Sequence, residues 1–270
     1  MAVPMCLIVF AWRPDHPLPL VVAGNRDEFR ARPTQPLAVW DDAPQVVAGR
    51  DLRAGGTWMG VAPGGRFAAL TNIRGSGRQS GPLSRGDLPE RFLRGDQAPL
   101  AYLQEVASQR EQYAGFNLLV GDAGTLCYLN AQEGIPRALL PGVYGLSNAA
   151  LDTPWPKLLN AREALHRCLA EPRLEHLLEL LADSRKIADA QLPQTGVGLE
   201  MERLLSSVFI DSPDYGTRTS TALIRHGADR FEIIERSFAS GGRVTGEVGF
   251  DSAAVWGAAA RPSSGSPRTA

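Results

Sequence analysis

The chain has 270 residues and a formal net charge of −1, with 28 Lys and Arg residues against 29 Asp and Glu residues. This balance gives no overall field that would draw the protein to nucleic acid or to an anionic membrane. Hydrophobic residues make up 44% and charged residues 21% of the chain, which excludes a disordered chain, a collagen-like fibre and a coiled coil, so a globular protein with a sizeable core is expected.

Short apolar runs joined by turn residues predict β-hairpins. In chain order, the predicted elements are strands at 6–12, 18–24, 58–62 and 66–71, helices at 83–93 and 100–112, strands at 116–121 and 125–130, helices at 155–170 and 174–181, and strands at 219–225 and 230–238. Because hairpins replace regular strand–helix alternation, this order predicts an α+β fold. No glycine-rich phosphate-binding loop follows a predicted strand, which disfavours nucleotide binding.

The three cysteines, Cys6, Cys127 and Cys168, follow no spacing pattern. They argue against a disulfide framework and for a reducing compartment. The chain shows neither a signal peptide nor a run of about 18 apolar residues that would predict a transmembrane helix, so a cytoplasmic location is expected. The four histidines have no partners at metal-ligand spacing, and no metal site is predicted.

Cys6 is the first candidate for chemistry, because it directly follows Met5. A cysteine in an apolar strand is usually a packing residue. If translation begins at Met5 and this methionine is removed, however, Cys6 gains a free α-amino group. With a pKa of roughly 7.7–8.0, that amine can act as a general base and turn the thiol into a thiolate nucleophile. We therefore expect residues 1–5 to be a leader or a mis-called start, 6–257 one domain, and 258–270 a flexible tail.

A second candidate is the polar run Asn25-Arg26-Asp27-Glu28, directly after the second predicted strand. Four such side chains are costly to bury, so they are either solvated in a loop or paired. In a hairpin, the end of the second strand lies near the start of the first, where Cys6 is. Arg26 and Asp27 could then polarise the thiol and hold the amine.

Further motifs follow in order along residues 5–250, and together with the Met-Cys start and the Asn-Arg-Asp-Glu run they resemble the NRDE family, also called the transport and Golgi organisation protein family. The motifs are Arg32-Pro33-Thr34, Gly55-Gly56-Thr57-Trp58, Leu70-Thr71-Asn72, Gly145-Leu146-Ser147-Asn148 and Tyr215-Gly216-Thr217-Arg218-Thr219-Ser220. This family is similar to the N-terminal nucleophile hydrolases of the penicillin V acylase, bile salt hydrolase and acid ceramidase group. The resemblance implies a four-layer αββα sandwich.

The resemblance also implies a catalytic set, which consists of Cys6, Arg26, Asp27, Asn72, Asn148 and Arg218. Cys6 would attack an amide carbonyl, and the side-chain amides of Asn72 and Asn148 would donate to the oxyanion. Asp27 would hold the α-ammonium group that protonates the leaving amine, and Arg218 would favour the thiolate. All six are expected to meet in one cleft, with Arg26, Asp27 and Arg218 forming a charge-paired set.

The hypothesis is a cysteine-dependent hydrolase of C–N amide bonds in a small or lipid-like substrate, with no cofactor required. The alternative is a non-enzymatic protein that binds or traffics haem or lipid on the same fold. No attachment motif and no dedicated axial ligand stands out for haem, although weak binding in an apolar cleft would need neither. A third alternative, favoured if Cys6 is never freed, is a degenerate fold kept as an interaction surface.

Overall fold

The computed structural model describes residues 5–74 and 81–257, and within these ranges the chain forms thirteen strands and six helices. The strands are β1 Met5–Trp12, β2 Leu20–Phe29, β3 Thr34–Trp40, β4 Ala43–Asp51, β5 Met59–Ala62, β6 Arg66–Asn72, β7 Phe116–Gly121, β8 Leu126–Asn130, β9 Arg137–Ala138, β10 Gly142–Leu146, β11 Tyr215–His226, β12 Arg230–Phe238 and β13 Val244–Asp251. The helices are α1 Asp87–Arg94, α2 Pro99–Ser108, α3 Pro156–Cys168, α4 Leu174–Leu180, α5 Leu199–Leu204 and α6 Ser252–Trp256. None of these helices is long and apolar enough to cross a membrane.

The strands form two antiparallel sheets. The first has the order β10-β1-β2-β11-β12-β13 and the second β3-β4-β5-β6-β7-β8-β9. In the first sheet β2 pairs with β1 on one side and with β11 on the other. The hairpin register sets Met5 opposite Asp27, and Cys6 opposite Arg26. The β1–β2 pair is therefore an interior part of the sheet.

The layer order follows from which faces of the sheets pack together. Side chains such as Ile8 of the first sheet and Phe67 of the second share the core between the sheets. Leu7, on the opposite face of β1, packs with residues of α3 and α4, and the outer face of the second sheet packs against α1 and α2. The four layers confirm the expected αββα sandwich and the α+β class.

The predicted hairpins are confirmed, but the sequence did not predict five strands: β3, β4, the two-residue β9, β10 and β13. These strands lack an uninterrupted apolar run, because β3 contains Pro36 and β13 is mostly exposed. The helix predicted at 83–93 begins only at Asp87, since Leu83 forms a β-bridge with Tyr113. The prediction at 100–112 divides into α2 and a 3₁₀ turn.

The run Asn25 to Glu28 does not follow β2 as a loop, but lies inside the strand and is buried. The physical reason is that β11 pairs along the whole of β2, so the backbone polar groups of this run are satisfied by a ladder on each side. Met5, which was assigned to the leader, is the first residue of β1 and is 1% exposed. Residues 1–4 and the predicted tail at 258–270 lie outside the described residues.

Gly56 fixes the loop before α1 against the second sheet. A Cβ at Gly56 would lie 2.3 Å from the carbonyl carbon of Gly86, and the Thr57 N–H donates to the Gly86 carbonyl oxygen at 3.1 Å. Gly56→Ala should therefore displace backbone and lower the free energy of unfolding by about 2 kcal/mol, measured by urea denaturation. In the control Gly246→Ala, where a Cβ would meet nothing within 4 Å, the change should stay below about 1 kcal/mol. Equal losses in the two variants would contradict the close contact.

Candidate active site

A cavity of about 330 Å³ lies where β1 and β2 of the first sheet face the second sheet. Both sheets and the segment before α1 contribute to its walls. The lining includes Cys6, Arg26, Asp27, Glu28, Arg32, Asp51, Trp58, Leu70, Asn72, Arg85, Ala114 and Glu235. Trp58 is thus part of the cavity wall. The volume is at the lower end of those that hold small-molecule ligands.

Cys6 borders the cavity and is 6% exposed. Its backbone N–H donates to Oδ1 of Asn148 at 3.3 Å, and its carbonyl oxygen accepts from the Ser147 hydroxyl at 3.0 Å. Burial raises the pKa of the Cys6 thiol to about 12, with the Asp27 carboxylate acting in the same direction and the Arg26 guanidinium opposing it. With Met5 bonded to its nitrogen, Cys6 is therefore a protonated thiol at neutral pH.

The side chains of β2 alternate between the two faces of the sheet. Arg26 lies on the cavity face with Cys6, its partner in the register. Asn25 lies on the helix face, where its amide donates to the carbonyl oxygens of Leu181 and Val208 at 3.0 and 2.9 Å. Buried polar side chains are thus tolerated in an interior strand because each finds a partner.

Asp27 and Lys157 form a buried pair of opposite charges that the sequence analysis did not identify. Oδ1 of Asp27 accepts from the Thr217 hydroxyl at 2.7 Å, whereas Oδ2 of Asp27 and Nζ of Lys157 have no hydrogen-bond partner in the described part of the chain. Burial raises the pKa of Asp27 to about 7 against the attraction of Lys157, and lowers the pKa of Lys157 to about 8 against that of Asp27. The only available signal was that Lys157 is one of just two lysines in the sequence.

The expected charge-paired set of Arg26, Asp27 and Arg218 is not formed. Arg26 instead pairs with Asp51 at 3.3 Å and with Glu28 at 3.6 Å. Arg218 lies at a register shift between β2 and β11, outside the cavity lining. Its Nη1 donates to three carbonyl oxygens of the turn after β2, at 2.9 to 3.0 Å. Arg218 therefore holds that turn in place.

The two asparagines occupy different positions relative to Cys6. Asn72 borders the cavity. Asn148 is 1% exposed and lies behind Cys6, with Oδ1 towards the Cys6 nitrogen and Nδ2 donating to the Asn72 carbonyl oxygen at 2.8 Å. The expectation that both amides converge on one oxyanion is not met, because the amide of Asn148 is oriented by these two backbone groups. Asn148 is placed to accept from the nitrogen of Cys6.

The raised thiol pKa gives a testable prediction for the chain that retains residues 1–5. At pH 8 about one Cys6 in ten thousand would be a thiolate, so iodoacetamide should modify Cys6 far more slowly than the half-buried Cys168. Peptide mapping by mass spectrometry measures both rates, and the urea-unfolded chain, in which all cysteines should react alike, is the control. Comparable rates for Cys6 and Cys168 in the folded chain would contradict the burial of Cys6.

A second prediction concerns the pH dependence of stability. Burial raises the pKa of Asp27 to about 7 in the folded chain, whereas the ordinary aspartate pKa of 3.8 applies in the unfolded chain. The protonated carboxyl therefore contributes its full stabilisation below about pH 3.8, and this contribution is lost as the pH rises to about 7. Asp27→Asn should abolish this loss, which amounts to at most about 1.4 kcal/mol per pH unit. Urea unfolding at several pH values measures it, with the exposed Asp229→Asn as the control; parallel pH profiles for the wild type and Asp27→Asn would refute the raised pKa.

Comparisons with known proteins agree with the resemblance noted in the sequence. Among curated proteins, the Transport and Golgi organization protein 2 homolog of Bos taurus is 37% identical over 257 residues, which cover 86% of this chain and 93% of that protein. The Homo sapiens homolog is 35% identical with the same coverage, and the Drosophila melanogaster protein is 28% identical over 265 residues, which cover 86% and 92%.

Two solved structures of hydrolases are more distant. A mutant of the conjugated bile acid hydrolase from Clostridium perfringens aligns with a TM-score of 0.49 at 8% identity, over 91% of this chain and 92% of that one. A Caenorhabditis elegans ortholog of N-acylethanolamine-hydrolyzing acid amidase aligns with a TM-score of 0.36 at 12% identity, over 81% and 92%. Alignments this weak carry no argument about activity. The family model described as "Transport and Golgi organisation 2", in contrast, matches residues 5–240, so the chain belongs to the Transport and Golgi organisation 2 family.

Proposed function

We propose that this chain is the precursor of a hydrolase of C–N amide bonds, which becomes active when residues 1–5 are removed and Cys6 is N-terminal. One observation carries the proposal: the Cys6 sulfur borders the cavity while the Cys6 nitrogen already faces an acceptor, Oδ1 of Asn148. Removal of Met5 would turn that nitrogen into an α-amine held in place. The names of the relatives state no reaction, so the proposal rests on this geometry.

The surroundings of Met5 support the presence of an amine at this end of β1. Asp27 is the register partner of Met5, and its Oδ2 has no hydrogen-bond partner in the described ranges. Tyr215 places its hydroxyl oxygen 2.7 Å from the Met5 nitrogen as an acceptor. An α-ammonium group left by cleavage would thus meet a carboxylate and a hydroxyl, and its positive charge would lower the pKa of the adjacent thiol.

In the proposed reaction the neutral α-amine takes the proton of the Cys6 thiol, and the thiolate attacks the amide carbonyl. Asn72, on the cavity wall, is the proposed donor to the oxyanion. The α-ammonium group then returns its proton to the leaving amine as the C–N bond breaks, which leaves a thioester on Cys6. Water, deprotonated by the same amine, hydrolyses the thioester and regenerates the thiol. No step needs a metal or an organic cofactor.

The alternative of a haem carrier gains less support from the cavity. Within the described part of the chain Cys6 is the only cysteine on its wall, and no histidine lines it. The raised pKa of Cys6 disfavours the thiolate that would coordinate iron.

The test is to express a chain whose first residue is Met5, and to confirm by intact mass that the product begins with Cys6. This protein should hydrolyse N-acyl amides, and Cys6→Ala should lower kcat by at least about a thousandfold. Cys168→Ala, on α3, is the matched control and should keep the activity. The chain that begins with Met1 should be inactive if it retains Met5. A folded protein with an N-terminal Cys6 that cleaves no amide, or whose activity survives Cys6→Ala, would overturn the proposal.

A further inference from the structure

Arg85 brings a guanidinium group to the cavity wall from the segment that precedes α1. The contact between Gly56 and Gly86 described above fixes this segment against the second sheet. Arg85 is half-buried; burial lowers the pKa of its guanidinium, against which negative charge on Cys6 or on Glu28 would act. The guanidinium is thus held by the backbone on the side of the cavity that faces Cys6.

The other guanidinium groups on the described cavity wall have carboxylate partners. Arg26 pairs with Asp51 and Glu28, and Arg32 pairs with Asp51 at 2.6 Å. Arg50 binds Asp42 through both of its Nη atoms, at 2.7 and 3.1 Å. The cations of this wall are therefore compensated by internal charges.

Arg85 differs from these groups because it has no carboxylate partner among the described residues. Within that part of the chain, Nη1 of Arg85 donates to the carbonyl oxygen of Gly115, at 3.2 Å. A guanidinium offers five N–H donors in a planar fork that matches an oxyanion. Only the attraction of Glu28 and the bond to Gly115 offset the partial loss of hydration of this guanidinium, so its remaining donors can take a further acceptor.

We infer that the cavity takes an anionic ligand, whose carboxylate or phosphate group binds Arg85. The apolar part of the ligand would pack against apolar side chains of the same cavity wall: Trp58, Leu70 and Ala114. That such a ligand is a substrate, an amide with an acidic group beside Cys6, rests on the proposed function. That it binds does not, because the charge of Arg85 is present whether or not Cys6 is freed.

The test measures binding in the full chain with Cys6→Ala, in which no turnover can occur. Isothermal titration compares N-octanoylglycine with its uncharged counterpart N-octanoylglycinamide, and octyl phosphate with octanol. The anionic member of at least one pair should bind about tenfold more tightly, as expected for a charge-assisted hydrogen bond. Whichever pair shows the larger ratio identifies the acid, carboxylate or phosphate. Added salt should reduce that ratio.

Variants of Arg85 assign the preference to this side chain. Arg85→Gln should bring the ratio close to one, and Arg85→Lys should retain part of it, because a lysine keeps the charge without the fork. Arg167→Gln, an exposed position on α3, is the matched control and should leave the ratio unchanged. Near-ultraviolet circular dichroism confirms that each variant is folded.

The outcomes separate this inference from the proposed function. If Cys6→Ala prefers the anions through Arg85 but the Cys6-terminal protein cleaves no amide, the binding site stands and the hydrolase does not. If amides are cleaved but the charged and neutral ligands bind equally well, the hydrolase stands and the anion site is refuted. A preference that persists in Arg85→Gln, or no binding of either anion at millimolar concentration, also refutes it.

Discussion

The pairing of β1 with β2 determines what every other part of the site can do. Because Cys6 stands opposite Arg26 and Met5 opposite Asp27, the two-residue period of a strand assigns the thiol to the cavity and the carboxyl to the helix face. The backbone nitrogen of Cys6 lies in the plane of the sheet, between the two. A shift of one residue in this register would exchange the two faces and turn the sulfur towards α3.

The charged side chains around this hairpin are paired differently on the two faces of the sheet. On the cavity side, Arg26, Glu28, Arg32 and Asp51 form a network in which each cation contacts a carboxylate, so the burial of charge is offset locally. On the helix side, Asp27 and Lys157 face each other without hydrogen-bonded closure. Each of these two groups therefore retains more of its desolvation cost than the charges of the network on the cavity side.

The fold could be predicted largely from the sequence, since apolar runs with turn residues between them specify hairpins locally. What escaped were strands with a proline or with exposed residues, such as β3 and β13, because their pairing is imposed by neighbouring strands. The polar run Asn25 to Glu28 was placed after β2 instead of inside it for the same reason. From the sequence alone, such polar side chains suggest exposure to solvent. Their burial becomes possible because β11 pairs with this part of β2.

The candidate site was predictable as a set of residues but less so as a geometry. Cys6, Arg26, Asp27 and Asn72 do border one cavity, whereas Asn148 and Arg218 lie beside it with their amide and guanidinium groups turned to backbone partners. Side-chain direction depends on local details, such as the register shift next to Arg218, that motif order does not contain. Arg85 and Lys157 belong to no strand-end motif, so no sequence pattern indicated that they lie near Cys6 and Asp27. Only the charged groups around them in the structure mark them as candidates.

The hydrogen bond from the Met5 nitrogen to the Tyr215 hydroxyl oxygen joins residues that are 210 positions apart in sequence. Met5 is also enclosed by Leu205 and Ile210, so the peptide bond between Met5 and Cys6 is covered by the last third of the chain. If residues 1–5 are removed as proposed, an aminopeptidase would meet this bond uncovered only before β11 has paired with β2. Because β11 is synthesised long after β1 and β2, the order of the chain would then leave a period for trimming that ends when the first sheet is complete.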